Sequence, residues 1–565
     1  MTKKIQITLA FLIGIMCIAS FLRFFELGKI PNGLNTDETA IGYNAYSILQ
    51  TGRDEYGVHL PVYFRSFNDY KLPVYIYFTV PAIKLFGVTA FAVRFASALF
   101  GTLTIFFLFL LVYLLTKRRD KALIASALLA INPWHIFFSR VGFEVNVAVG
   151  LLTIGCVAFF YANIGKRFSL CYFLLAILAF VLSMYCYNIT RLLSPLLFIS
   201  LMLFYYKKLS LEKKVISVIV MMLAIFPLVL SFTNGSGFDS QKGLLISGGE
   251  SLASMLELRS YLANYPHLFT SLFFNSWMLI LWQYVKNIVS FFSLPFFFVS
   301  GASQPINGVI GTGMFHLIEV ITIPLGIMYG IRMKSKYLIP MYIWMILIIL
   351  IGCLQKIVPH PTRTYAIIIP FIVFSTEGVF FLVENLWKQK IQAIKIIGVM
   401  IFLGSISYSL LYYLVSYTAS FPIKYEKEWR AEDEKLVQYL QSNQHLYDKI
   451  IVDESADFAY TSLLFYQKYS PASVQKEAVY IDKGLLGSLA KLEKYEFRKL
   501  TEQDLQEKNV LVITGSDKKL TATPVAAFTY STRPVVIYFD KKIGQFPVTD
   551  TAYRLFSSSS KTLQE

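Results

Sequence analysis

The sequence predicts a polytopic α-helical membrane protein of about eleven crossings, closed by a small α/β domain on the external side. Three observations carry that prediction. Of 565 residues, 56% are hydrophobic, 16% aromatic and only 15% charged, far from the balance of a soluble domain. Basic residues cluster at intervals between apolar runs, as cytoplasmic loops require. Beyond residue 421 the pattern breaks, and charges of both signs with short β-like runs replace the long apolar stretches.

The elements follow in chain order. Met1-Thr2-Lys3-Lys4 precedes an apolar run to Leu22, long enough to cross. Arg23-Phe24-Phe25-Glu26 follows in place of a small-x-small cleavage site, so the run reads as a retained span rather than a signal peptide. Further cytoplasmic loops are marked by Lys117-Arg118-Arg119, Lys166-Arg167, Lys207-Lys208 with Lys213-Lys214, Arg332 to Lys336, and Lys388 to Lys395. Between Lys4 and Lys117 the chain must cross an even number of times. It offers three apolar segments there, 5–22, 73–88 and 90–115, and the middle one is short and carries Pro81 and Lys84. That segment is expected to be an interfacial or re-entrant helix, which leaves 23–89 as one large external loop.

Spans are expected next near 121–138, 146–164, 168–187, 189–206 and 215–233. An external segment, 234–311, opens loop-like with Asn234-Gly235-Ser236-Gly237 and Ser247-Gly248-Gly249-Glu250. Its part 268–300 is aromatic but broken by Asn275, Lys286 and Pro295, which favours a pair of interfacial helices over a membrane hairpin. Four more spans follow near 312–331, 337–354, 364–383 and 395–417. The result is a multi-pass plasma-membrane protein with a cytoplasmic N-terminus, a membrane module over 1–420 and an extracytoplasmic α/β domain over 421–565. In that last domain, 426–441 and 458–469 carry helical patterning, and 449–453, 510–514 and 535–539 are β-like. It holds no GxGxxG, Walker loop or GxSxG, so it suits recognition or covering better than nucleotide chemistry.

Charge and cysteine usage exclude other classes. The net charge of +17 lies entirely in residues 1–420, because 421–565 carries 20 basic and 20 acidic side chains. It is a topology signal and implies no nucleic-acid partner. All five cysteines lie in apolar segments without paired spacing, and the six histidines are scattered. Neither a disulfide framework nor a structural metal site is expected.

With this topology the conspicuous polar residues share the external face. The first loop holds Asp37, Glu38, Arg53, Asp54, Glu55, Asp69, Tyr70 and Lys71. The second holds Arg140 and Glu144, the third Tyr187, Asn188 and Arg191, and a later one His360, Arg363 and Tyr365. Ionisable groups beside lipid are costly, so a convergence of four loops marks a site. A surface carboxylate can take a proton from an attacking hydroxyl, and lysine or arginine at the membrane boundary can bind a phosphate leaving group. The set therefore permits transfer from a lipid-bound phosphate ester. Asp37 and Glu38 equally suit the N-terminus of a helix over 39–50, and Arg53-Asp54-Glu55 reads as an exposed turn. A transporter or flippase of a lipid-linked sugar is the alternative, but it should carry its ionisable groups near the bilayer midplane.

Four stretches carry a family resemblance: Thr36-Asp37-Glu38 through Tyr46, Gly52-Arg53-Asp54-Glu55-Tyr56-Gly57, Lys71-Leu72-Pro73-Val74-Tyr75, and Phe91-Ala92-Val93-Arg94 onward. They resemble bacterial C-type (GT-C fold) glycosyltransferases, in the branch of the protein O-mannosyltransferases and the lipid A aminoarabinose transferase. Ser139-Arg140 to Glu144 and Pro361-Thr362-Arg363 fit as well. The resemblance implies a polyprenyl-phosphate sugar donor and a lipid, protein or cell-wall polymer acceptor. It further implies that Asp37 is the catalytic acidic residue, Glu144 the second-loop acidic position and Lys71 the lysine on the lipid phosphate. Glu38 is carried with Asp37 and Glu144 as catalytic, and Asp69, Tyr70, Arg140, Arg191, His360 and Arg363 with Lys71 as substrate-binding. The family's frequent Lys-Pro-Pro is here Lys71-Leu72-Pro73. Some relatives use a divalent metal and others none, so Mg or Mn near Asp37 stays open.

Overall fold

The computed structural model describes residues 3–66, 69–164, 169–233, 245–246, 257, 260–261, 267–481, 489–505, 507–515, 526–529, 535–539, 542–546 and 551–557. The loop-like stretches expected at 234–237 and 247–250 lie outside the described residues. Two compact units form, one from residues 1–25 and 97–414, the other from 26–96 and 415–565. Residues 26–96 thus group with the C-terminal part of the chain.

The first unit is helical. Among the described residues, five helices are long and apolar enough to cross a membrane: Lys3–Phe24, Ala90–Thr116, Glu144–Asn163, Pro361–Trp387 and Gln392–Lys424. A sixth crossing arises if Arg119–Ile131 and Pro133–Arg140, bent by 59°, count as one span. Asn132 makes that bend by capping the second helix, accepting from the His135 amide at 2.9 Å, with Pro133 in the first turn where a missing N–H costs nothing. Ser169–Met184, Thr190–Phe204 and Lys336–Gly352 are apolar but shorter. A helix of 16 residues such as Ser169–Met184 is about 24 Å long, under the hydrocarbon thickness of about 30 Å. The aromatic segment near 268–300 forms two helices, His267–Phe273 and Ser276–Phe291.

Close packing in this unit is visible at two glycines. A Cβ on Gly326 of the helix Glu319–Arg332 would lie 1.8 Å from the Phe374 carbonyl oxygen. One on Gly378, in the facing helix Ile368–Trp387, would lie 1.9 Å from that of Thr322. Small residues let the two backbones meet, as in membrane helix pairs generally. A buried charge here is paired: Lys121 Nζ lies 2.5 Å from Glu377 Oε2, which also accepts from the Tyr337 hydroxyl at 3.2 Å.

The second unit combines the first loop with the C-terminal strands. Its first-loop part is the helix Thr36–Thr51, an antiparallel pair Phe64–Ser66 with Asp69–Lys71, the helix Pro73–Phe86 and the opening turns of Ala90–Thr116. Its C-terminal part holds the helices Asp433–Asn443, Tyr460–Tyr466 and Pro471–Glu477. A seven-stranded sheet runs in the order Val479–Tyr480, Leu489–Leu492, Tyr495–Phe497, Lys449–Val452, Val510–Gly515, Thr551–Ser557, Ala526–Thr529. Lys449–Val452 is parallel to both neighbours, and Val510–Gly515 is buried along its whole length, so both read as continuous aliphatic runs rather than alternating ones.

The helix Thr36–Thr51 is the centre of this unit. It packs on Pro73–Phe86 and on Tyr460–Tyr466, and a Cβ on Gly42 would meet Phe465 Cε2 at 2.4 Å and Val93 Cγ2 at 2.7 Å. Thr39 and Thr461 share a hydroxyl hydrogen bond of 2.8 Å, and the Tyr43 hydroxyl donates to the Tyr469 carbonyl at 3.2 Å.

Candidate active site

The helix Thr36–Thr51 begins with a capping box. Asn35 Oδ1 accepts from the Glu38 amide at 2.9 Å, and the Asn35 amide donates to Glu38 Oε2 at 3.2 Å. The cap is therefore Asn35, and Asp37 and Glu38 sit inside the first turn rather than ahead of it. Asp37 points outward with 63% of its side chain exposed, and it forms an ion pair with Lys71. Acidic side chains in the first turn also complement the helix dipole.

Lys71 closes the two-stranded ribbon, opposite Phe64, and precedes Leu72, the cap of Pro73–Phe86. Pro73 in that first turn fixes where the helix starts without wasting a backbone donor. Only 9% of the Lys71 side chain is exposed, so its stem is buried and its ammonium is delivered to Asp37 at the surface. The ribbon places Asp69 opposite Ser66 and the half-buried Tyr70 opposite Arg65.

Glu38 has a different environment. It is fully buried, and both carboxylate oxygens meet Arg94, Oε1 at 2.8 Å from Nε and Oε2 at 3.1 Å from Nη2. Arg94 also donates to the carbonyls of Leu27 at 3.2 Å, Pro31 at 2.8 Å and Gly33 at 2.6 Å, and its guanidinium carbon lies 5.8 Å from the Trp429 ring centre. A bidentate pair with satisfied hydrogen bonds is the arrangement in which buried charges are tolerated. Arg94 was the residue whose role sequence reasoning missed. The available signal was a charged side chain near the start of an otherwise apolar helix.

The turn expected to be exposed is in fact buried at its carboxylates. Asp54 is 1% exposed and Glu55 not at all. The Asp54 carboxylate folds back on its own turn, accepting from the amides of Tyr56 at 3.0 Å and Val58 at 2.8 Å. Burial raises its affinity for a proton against those hydrogen bonds.

The remaining candidates belong to the helical unit. Arg140 ends Pro133–Arg140, is nearly buried and donates to the Leu22 carbonyl at 3.0 Å. Glu144 opens the helix Glu144–Ile164 half-buried, its carbonyl accepting from Cys186 Sγ at 3.2 Å. Arg191 is buried in the first turn of Thr190–Phe204. His360 stands before the short helix Pro361–Thr364, 3.0 Å from the Thr362 hydroxyl, and burial with the nearby Arg363 pushes its imidazole down to about 4. Two of these loops are joined: the Tyr365 hydroxyl donates to Asn146 Oδ1 at 2.8 Å, and Asn146 Nδ2 donates to the Ser97 carbonyl at 2.8 Å.

Both first-turn carboxylates are engaged by cations of the chain itself. Lys71 is the cation beside Asp37, Glu38 is committed to Arg94, and among the described residues no three His, Cys, Asp or Glu side chains group to hold an ion.

Residues 71–232 match the family model described as dolichyl-phosphate-mannose-protein mannosyltransferase. No curated protein matches the chain. Among solved structures, the chain is similar to ArnT from Cupriavidus metallidurans bound to undecaprenyl phosphate, at 11% identity and a TM-score of 0.57 over 98% of each chain. The apo state of that protein is similar at 10% identity and a TM-score of 0.54, over 99% of this chain and 98% of that one. The archaeal oligosaccharyltransferase AglB from Archaeoglobus fulgidus, in complex with an inhibitory peptide and a dolichol-phosphate, is similar at 13% identity and a TM-score of 0.48, over 82% of this chain and 64% of that one. At such identities the likeness to ArnT is one of fold. With the matched domain, it bears out the resemblance to polyprenyl-phosphate-dependent C-type glycosyltransferases that the first-loop motifs carry.

Proposed function

We propose that the protein is an integral membrane glycosyltransferase that moves one sugar from a polyprenyl-phosphate carrier to an acceptor on the extracytoplasmic face, with inversion. The observation that carries this is the pairing of an exposed Asp37 on a capped helix with a Lys71 whose stem is buried beside an apolar helix. One pair supplies a base and a cation for phosphate. The matched family domain begins at Lys71, and the fold is shared with a protein solved with undecaprenyl phosphate.

The chemistry follows from those two groups. A phosphate arriving at Lys71 competes with Asp37 for the ammonium and frees the carboxylate to meet the acceptor hydroxyl. Asp37 takes the proton from the acceptor hydroxyl, the acceptor oxygen attacks the anomeric carbon, and the bond from that carbon to the phosphate oxygen breaks. Lys71 offsets the charge that grows on the departing polyprenyl phosphate. Glu38, held by Arg94, serves the helix rather than the proton transfer. Arg140, Glu144, Arg191, His360 and Arg363 lie in the helical unit and are assigned no step. About eleven crossings, a cytoplasmic N-terminus and an external domain over 421–565 complete the proposal.

The test is Asp37→Asn in purified protein in lipid nanodiscs, with a radiolabelled polyprenyl-phosphate sugar and candidate lipid, peptide and polymer acceptors. Transfer should fall by about 100-fold or more for loss of a general base. Turnover near that of the wild type would remove Asp37 from the mechanism.

A further inference from the structure

The turn 52–57 shares a unit with Asp37 and Lys71, and its second carboxyl group faces inward. Glu55 is surrounded by aromatic side chains drawn from distant parts of the chain. The Tyr460 hydroxyl donates to Glu55 Oε1 at 3.2 Å, and the Tyr480 hydroxyl donates to the Glu55 carbonyl at 3.4 Å. The Tyr480 ring lies 4.1 Å from that of Tyr56, centre to centre. Toward the catalytic helix, the Glu55 amide donates to Asn44 Oδ1 at 3.1 Å. Gln475 Nε2 fastens the same corner, reaching Ser47 Oγ at 3.1 Å, Thr51 Oγ1 at 2.9 Å and the Asp54 carbonyl at 2.9 Å. Among the described residues, Glu55 Oε2 is buried with no hydrogen-bond partner.

An ionised carboxylate offers about four acceptor positions, and the Tyr460 hydroxyl with the Asn44 side chain does not fill them. The neutral acid fits better, because it needs fewer donors and carries no charge into the desolvated nest. We propose that Glu55 is a positioning residue of the transfer site: as the neutral acid it docks the turn 52–57, and the Asp37 helix with it, onto Tyr460 and Tyr480, and its ionisation undocks them. The effect on turnover rests on the glycosyltransferase reading; the docking itself does not.

The groups facing Glu55 agree with this. Asp54 comes from its own turn, Tyr43 from the helix Thr36–Thr51, Lys71 from the ribbon, Tyr460 from the helix Tyr460–Tyr466 and Tyr480, its ring tilted against that of Tyr56, from the sheet edge. Burial and then the Asp54 charge push the Glu55 carboxyl up to about 8, against the hydrogen bonds of Tyr460 and Asn44 and the charge of Lys71. The same burial keeps Tyr43 and Tyr480 protonated. An undocked, solvated Glu55 would ionise near its ordinary 4.5. Between those two values the undocked form gains on the docked one by about tenfold per pH unit. Below the lower value both forms are neutral, and above the upper both are charged, so the dependence is flat outside the window.

The experiment is amide hydrogen exchange across 52–58 in the full-length protein, from pH 5 to pH 9, with intrinsic exchange rates divided out. In the wild type, protection should fall by about tenfold per unit and level off near pH 8, while Glu55→Gln, which keeps an acceptor for Tyr460, stays flat. Equal slopes in the two proteins would overturn the proposal. Should Glu55→Gln misfold, Tyr460→Phe serves in its place: losing that hydrogen bond raises the Glu55 proton affinity, so the levelling point should move up, and an unmoved one refutes the docking role. In the transfer assay, the wild-type rate relative to Glu55→Gln should decline over the same window. A wild-type exchange slope without transfer at any pH would retain the docking and remove the glycosyltransferase reading.

Discussion

Arg94→Met should unseat the first turn of the helix Thr36–Thr51 more severely than removal of its acidic partner. Arg94 makes two bonds to Glu38 and three to the carbonyls of Leu27, Pro31 and Gly33. Both variants break the buried pair, a loss of about 3–5 kcal/mol when one charge is left behind. Glu38→Gln keeps the three carbonyl bonds, and glutamine still serves the third position of a capping box. Arg94→Met strips those carbonyls of their donor, at about 1 kcal/mol each. It should therefore cost about 3 kcal/mol more, which is about two decades in an opening equilibrium. Amide exchange over 35–40 reads that opening directly, and transfer activity should follow it because Asp37 lies in the same turn. Equal protection in the two variants, or the reverse order, would mean that the ion pair alone holds the segment and the carbonyl clamp contributes nothing.

Lys71→Met should raise the KM for the polyprenyl-phosphate sugar by about 10- to 150-fold, the range for losing a charge-assisted contact of about 1.5–3 kcal/mol, and Lys71→Arg should recover part of it in initial-rate measurements. Gly42→Val should destabilise the protein by about 1–3 kcal/mol through overpacking against Phe465 and Val93, and Phe465→Leu in the same chain should restore part of the lost melting temperature. For His360, the folded imidazole titrates near 4 against an ordinary 6.5, so its contribution to stability is present above the ordinary value and is lost as pH falls through the window. Melting temperatures from pH 7 to pH 4 should accordingly fall more steeply in the wild type than in His360→Gln.

Much of the scaffold was legible because its causes are local. The short helix expected over 73–88 forms as Pro73–Phe86, with Pro73 in the first turn, where a missing N–H costs nothing. The aliphatic runs expected at 449–453, 510–514 and 535–539 form the strands Lys449–Val452, Val510–Gly515 and Val535–Phe539. Crossing number was less accessible, because loop charge fixes sides while helices of 14 to 16 residues leave length undecided. The burial of Asp54 and Glu55 was invisible for another reason. Thr51 to Gly57 has the composition of an exposed turn, and the side chains that cover it, Tyr460 and Tyr480, lie about 400 positions downstream.

The hardest distinction was between two neighbours of the same chemical type. Asp37 and Glu38 are equivalent in any linear pattern: both are acidic, both suit a helix N-terminus, and both belong to the motif that carries the resemblance. Successive side chains on a helix point about 100° apart, so when one faces a partner helix the next turns toward its edge. Here that rotation gives Glu38 to Arg94 inside and Asp37 to Lys71 at the surface. The extra methylene of glutamate also matters, because a capping box needs a side chain long enough to reach back to the Asn35 amide. Swapping the two acids, by Asp37→Glu and Glu38→Asp in one chain, would keep composition and net charge, yet it should open the cap and loosen the Arg94 contact. That double variant should therefore lose protection over 35–40 as well as transfer, and native protection would show that the assignment of roles within the motif is wrong.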